Sequence, residues 1–162
     1  MREIRVIGDP VLRTPAEPVT QFDRDLRRLI DEMMASMYAA DGVGLAAPQI
    51  GISRRIFVYD AAGRKGHVVN PELAVDDSEE VLDEEGCLSI PGRETGRPLY
   101  ARTPRAAGVT VTGLDRLGRP VRVRARGLLA RCFQHEYDHL EGRLFVDRLA
   151  KDAARRLLLQ AP

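Results

Sequence analysis

Two histidines stand four residues apart in the stretch RCFQHEYDHLEGRLF, residues 131–145, with a glutamate directly after the first. Residues at that spacing on a helix lie one turn above each other, so His135 and His139 can aim both imidazoles at one ion. Glu136 lies about 100° further round the helix, where it can touch a water on that ion but is badly placed to bind it. Two ligands and a proton carrier are half of a hydrolytic metal site. Such a site also needs a third protein ligand and an open fourth position.

The third ligand does not lie downstream in either common place. A histidine six residues after His139 would complete one known pattern, but Phe145 stands there. A more distant glutamate would complete another, but none follows Glu141. Asp147 and Asp152 are weak substitutes, which turns attention upstream to His67, Cys87, Cys132 or a carboxylate. Cys132 is one turn before His135, and three ligands from one helix face would leave substrate little room, so it reads as a small core residue. His67 sits in an alternating stretch, KGHVVNP, with nothing else metal-like nearby. Cys87 lies in EEGCLSIPG, between a glycine and a proline, and reads as a thiol presented from an irregular segment. Beside a divalent cation it would be a thiolate. Cys87 is the expected third ligand.

The elements that must position these residues follow from periodicity. The opening VIGDPVLRTPAEPV, with three prolines, reads as extended chain over the surface. In FDRDLRRLIDEMMASMYAADG, Leu26, Leu29, Ile30, Met33, Met34, Met37 and Tyr38 recur at helical spacing, Asp23 can cap the start, and Gly42 follows the end. The methionines read as core packing. RRIFVYD and GHVVNPEL read as short strands, and AGVTVTGLDRLGRPVRVRARG as a hairpin turning near Asp115 to Gly118. GLLARCFQHEYDHLEG is helical, with Leu128, Leu129, Cys132, His135, Glu136 and His139 on one broad face, and VDRLAKDAARRLLLQ is a last helix. The expected fold class is α+β: small mixed or antiparallel β-sheets packed around the central HExxH helix, with an N-terminal and a C-terminal helix. At 162 residues the chain suits one domain. Lys+Arg 25 against Asp+Glu 24 gives no case for nucleic acid or anionic membrane as the main partner. Two cysteines and no apolar N-terminal run point to a soluble intracellular protein.

Three segments, GVGLAAPQ (Gly42 to Gln49), EGCLS (Glu85 to Ser89) and QHEYDH (Gln134 to His139), occur in that order and together resemble the signature motifs of the peptide deformylases. The resemblance runs from GDPVLR to LFVDRL. It implies a single catalytic domain over residues 1–162 and one divalent metal ion held by Cys87, His135 and His139. It also implies that the ion is Fe²⁺ in the cell, with Zn²⁺, Ni²⁺ or Co²⁺ able to replace it; the ligand set alone points to zinc.

The substrate implied is the N-formyl group on the initiator methionine of a nascent polypeptide. A hydroxide on the ion attacks the formyl carbon, and Glu136 carries the water's proton to the leaving amine. The side-chain amide of Gln49 and the backbone N–H of Leu88 stabilise the oxyanion. Gly42 and Gly44 permit close approach of a substrate strand, with Val43 and Gly44 as its hydrogen-bonding edge. Ala46 and Ala47 are small and leave space for Gln49. Val43, Leu88 and Cys132 are expected around the methionine side chain, with Gly86 in the substrate-binding set. Arg131 falls at the pocket rim, its stem packing while its guanidinium reaches water.

After CLSIPG the chain inserts RETGRPLYART, residues 93–103, about half a dozen residues more than the common form, expected as a surface loop near the cleft. It reads either as idle or as narrowing the peptides accepted. Relatives also approach the ribosome through a C-terminal helix, for which Arg148, Lys151, Arg155 and Arg156 are available. A monomer in the bacterial cytoplasm with no membrane contact completes the expectation. The alternatives are a deformylase specialised for a narrower formylated substrate, a small zinc endopeptidase, or a silent binder of formylated peptides. Neither of the last two needs the full set of Glu136, Gln49 and three ligands.

Overall fold

The computed structural model describes residues 2–162. Its helices are α1 (Arg24–Ala39), α2 (Gly127–Leu140) and α3 (Lys151–Leu158). Its strands are β1 (Gly44–Ala46), β2 (Ile56–Ala61), β3 (Arg64–Pro91), β4 (Pro98–Leu114) and β5 (Pro120–Arg126). All five join one antiparallel sheet in chain order. The α+β reading holds, and no helix among the described residues is long and apolar enough to cross a membrane.

The hub of the packing is β2. Successive side chains of a strand point to opposite faces, and here both faces are covered. Ile56 and Val58 pack with Leu26, Ile30, Met33 and Met37 of α1. Phe57 and Tyr59 pack with Leu129 and Phe133 of α2. Tyr59 and Phe133 meet edge-on, ring centroids 4.9 Å apart. Because β1 pairs with β2 and α2 packs on it, the glycine-rich segment after α1 is carried directly over the histidine helix.

Helix α1 begins as its sequence dictates, with the Asp23 carboxylate accepting from Leu26 N–H at 3.0 Å. It ends at Ala39, three residues before the expected glycine. Asp41 takes the left-handed conformation at φ 56°, and Gly42 N–H reaches back to Met37 C=O at 2.9 Å. Gly42 leaves room for a different neighbour: a Cβ there would lie 2.8 Å from Leu88 Cδ1 and would push that side chain aside.

Several expectations change. The opening contains one 3₁₀ turn, Pro10–Arg13, capped by Asp9. GHVVNPEL is not a short strand but the start of β3, which runs on to Pro91 with four register shifts, so Cys87 is presented from a strand and not from an irregular segment. The last of those shifts falls between Gly86 and Pro91, where β4 has no residue opposite Cys87. A bulge of this kind re-aims side chains. Of residues 93–103, expected as a surface loop, 93–97 form the turn between β3 and β4 and 98–103 are already the start of β4. The last helix is divided into a 3₁₀ turn, Phe145–Arg148, and α3. Tyr38 and Leu128 are exposed instead of lying on buried faces.

Asp23→Ala removes the cap from the helix that delivers Gly42 to Gly44. The expected loss is about 1 kcal/mol, read as a lower urea midpoint at unchanged slope; an unmoved midpoint would contradict the assignment.

Candidate metal centre

Alternate residues of β3 face one way, and Glu85, Cys87 and Ser89 are all buried there. Each meets a different part of the site. Cys87 Sγ lies 3.4 Å from His139 Nε2, whose own distance to His135 Nε2 is 3.2 Å. The donor atoms of Cys87, His135 and His139 lie within 4.8 Å of one another, as a group that could hold a metal ion. Three electron-pair donors facing each other out of water repel unless a cation or shared protons lie between them. Tetrahedral bonds of about 2.0–2.1 Å to nitrogen and 2.3 Å to sulfur would separate the donors by about 3.3 and 3.6 Å. The observed spacing fits that demand.

Glu85, which sequence reasoning passed over, orients this group. Its Oε2 is 2.6 Å from His135 Nδ1. An ionised Glu85 keeps the hydrogen on Nδ1 and leaves the Nε2 lone pair facing the centre. Burial opposes its charge, but the bonds from His135 and Arg105 outweigh burial and hold its pKa well below the usual carboxylate range. Arg105 of β4 grips Glu85 through Nε at 3.0 Å and Nη2 at 2.6 Å, and reaches Asp138 at 2.6 Å with Nη1. Arg148 closes the other side of Asp138 at 2.7 and 3.1 Å. Arg148 is exposed, but its guanidinium is paired with the buried Asp138 and is not a free surface cation.

Arg131 departs from expectation. It lines the cleft, but it is only 7% exposed and its guanidinium does not reach water as a rim residue would. Nη1 donates to Glu85 Oε1 at 3.1 Å and Thr103 C=O at 2.7 Å, and Nη2 to Val81 C=O at 3.0 Å.

Gln49 is fixed from the other side. Its Oε1 accepts from Ala46 N–H at 3.0 Å, which turns Nε2 toward Ser89 Oγ at 3.1 Å and Cys87 Sγ at 3.7 Å. Glu136 is buried, and its Oε1 has no hydrogen-bond partner among the described residues. Burial pushes its pKa up to about 7, against the lowering effect of His135. Gly44 is where it is because a Cβ would lie 2.5 Å from Glu136 Oε2 and 2.9 Å from Cys132 Sγ. The Cys132 thiol, pushed well up by burial and by the nearby Glu136, donates to Val43 C=O at 3.7 Å and stays outside the donor group. His67 is elsewhere, accepting from Arg116 N–H at 3.0 Å.

Gln49, Cys87, His135 and Glu136 floor a cleft of about 640 Å³, with His139 buried beneath them. Asp41 to Gly44 form one wall, Glu84 to Leu88 another, and Arg97, Pro98 and Tyr100 a third. Main-chain bonds alternate along an antiparallel pair. Since Val43 C=O takes Asp60 N–H of β2 at 2.8 Å, Gly44 turns its own polar groups the other way, off the sheet edge.

Two imidazoles, a thiol and a buried carboxyl gathered beneath a cleft are the parts a metal-dependent hydrolase requires. Comparison with known proteins carries the assignment further. The family model described as polypeptide deformylase matches residues 1–155. The peptide deformylase of Acidothermus cellulolyticus is 54% identical over 162 residues, covering 99% of this chain and 85% of the relative. The crystal structure of a peptide deformylase from Legionella pneumophila superposes with a TM-score of 0.87 at 47% identity, covering 98% of this chain and 93% of that one. That of Synechococcus elongatus, in complex with actinonin, gives 0.88 at 41%, covering 98% and 85%. The chain belongs to the polypeptide deformylase family, metal-dependent hydrolases that remove the N-formyl group from nascent peptides.

Two substitutions test this geometry. Arg105→Met strands Glu85 and Asp138 in the interior and should cost about 3–5 kcal/mol of stability, read by chemical denaturation. Gly44→Ala should leave a folded protein whose activity falls about 10²-fold as Glu136 is displaced. Wild-type turnover in Gly44→Ala would rule out the close approach.

Proposed function

We propose that Cys87, His135 and His139 hold one divalent ion, Fe²⁺ in the cell and replaceable by Zn²⁺, Ni²⁺ or Co²⁺, and that the chain deformylates N-formyl-methionyl peptides at that point. The observation that carries this reading is the triangle of donors beside a buried carboxyl oxygen, Glu136 Oε1, with no hydrogen-bond partner among the described residues. When bound, such an ion polarises a carbonyl and acidifies water beside it.

The chain's own residues supply the rest. Glu136, with its pKa raised to about 7, takes the proton of the attacking water and gives it to the leaving nitrogen as the formyl C–N bond breaks. Formate and a free amine result. Gln49 Nε2, held by the Ala46 clamp on its carbonyl, and Leu88 N–H, on the stretch of β3 without a β4 neighbour, donate to the oxyanion. The peptide lies extended along the outward-facing edge of Gly44, opposite Gly86, with Val43, Leu88, Arg131 and Cys132 around the methionine side chain. The enzyme works as one monomeric catalytic domain in the bacterial cytoplasm. Contact with the ribosome through α3 would rest on the exposed Lys151, Arg155 and Arg156, since Arg148 is occupied.

Formate release from formyl-Met-Ala-Ser by protein purified without oxygen and loaded with Fe²⁺ or Ni²⁺ tests the reading. Glu136→Ala should lose about 10²–10⁴-fold in kcat. A chelator should abolish turnover in the wild type and added Ni²⁺ should restore it. Full activity in Glu136→Ala, or in metal-free protein, would overturn the roles.

A further inference from the structure

The inserted segment is a finished piece of structure with two anchored ends. Gly92 N–H bonds Arg97 C=O at 2.8 Å and Gly96 N–H bonds Gly92 C=O at 2.9 Å, closing the turn between β3 and β4. On its outer side Arg93 ties it to the end of the chain. The Arg93 N–H donates to Gln160 C=O at 2.7 Å, and its guanidinium to Ala161 C=O at 2.8 Å. On its inner side Arg97, Pro98 and Tyr100 become a wall of the cleft.

Tyr100 is the unusual member. It pairs across the strands with Gly86, and its ring folds down over that glycine: a Cβ on Gly86 would lie 2.6 Å from Tyr100 Cε1. A ring seated on main chain in this way is braced from behind, yet Tyr100 is 61% exposed. Two more large apolar side chains line the same cleft in the open, Val43 at 47% and Leu128 at 52% exposure. They come from three different segments of the chain, so no single helix or strand face explains their exposure. Apolar surface gathered at the margin of a polar-floored cleft marks binding. The cleft itself, at about 640 Å³, is of the size that encloses a drug-sized molecule, more than one formyl-methionyl residue.

We propose that Tyr100, braced on Gly86, is a specificity-determining residue that reads the side chain directly after the formyl-methionine and favours a bulky apolar one over a small one. The inference rests on the proposed reading that a formyl-methionyl peptide lies extended in this cleft. Successive side chains of an extended peptide point to opposite sides. With the methionine directed at the floor, the next side chain is directed at the margin. There the ring offers a flat apolar surface already ordered before binding, so contact with it lowers KM without touching the reacting atoms.

The test compares formyl-Met-Leu-Ser with formyl-Met-Ala-Ser, which differ only at that residue, on metal-loaded wild type, Tyr100→Ala and Tyr100→Phe, with melting temperatures alongside. The wild type should prefer leucine by about tenfold in kcat/KM, with the difference in KM. Tyr100→Ala should bring the ratio close to one, and Tyr100→Phe should retain it. A preference undiminished in Tyr100→Ala overturns the proposal. So does a loss that falls on kcat equally for both peptides, which marks Tyr100 as scaffold. Hydrolysis of neither peptide by the wild type overturns the proposed reaction and this role together.

Discussion

A carboxylate removed from water must be surrounded by donors or it will not stay charged, and Glu85 meets that requirement with groups from three directions. Arg105 comes from β4, while Arg131 and His135 come from α2. None of these partners can move far without stranding a buried charge, so the angle between the long strand pair and the histidine helix is held by electrostatics as well as by apolar packing. Cys87 lies two residues further along the same face of β3. The position of the thiol relative to the imidazoles is therefore a by-product of where Glu85 sits. Arg105 and Arg148 extend the network through Asp138, the residue directly before His139, so both histidines are braced by neighbouring ion pairs.

The opposite wall is held by shape. The α1–β2–α2 sandwich brings Gly42 and Gly44 so close to Leu88 and Glu136 that an added Cβ would have to push those side chains aside. In the same segment the fixed carbonyl of Gln49 leaves only one direction for its amide nitrogen. A site so assembled has charge-fixed groups on one side and sterically fixed groups on the other, with the cleft between them.

What could be read from residue order was whatever depends on local spacing. The histidine pair, the Asp23 cap, the methionine-lined face of α1 and the turn at Asp115 to Gly118 all follow from neighbours within a few positions, and the structure keeps them. The choice of Cys87 as third ligand rested on elimination; the structure brings its thiol beside the histidines for a reason not seen in advance. Glu85 stands at strand spacing from Cys87, a signal that would have exposed it had EEGCLSIPG been read as strand. The acidic run DDSEEVLDEE hid β3, because it alternates poorly and its register shifts break what periodicity there is. Arg131 misled because a long cationic side chain beside a cleft ordinarily extends to solvent. Its acceptors, Thr103 and Val81, lie 28 and 50 residues away in the chain, beyond any local pattern.

Those separations have a thermodynamic consequence. Cys87 precedes His139 by 52 residues, so the unfolded chain can offer a cation the local histidine pair but not all three donors together. An ion that binds only the folded form adds its binding free energy to folding, about 1.4 kcal/mol for each tenfold excess of free ion over its dissociation constant. During synthesis the thiol is made before either imidazole. The full triangle of donors therefore exists only once α2 has closed onto β3, so it is a property of the finished fold and not of the emerging chain.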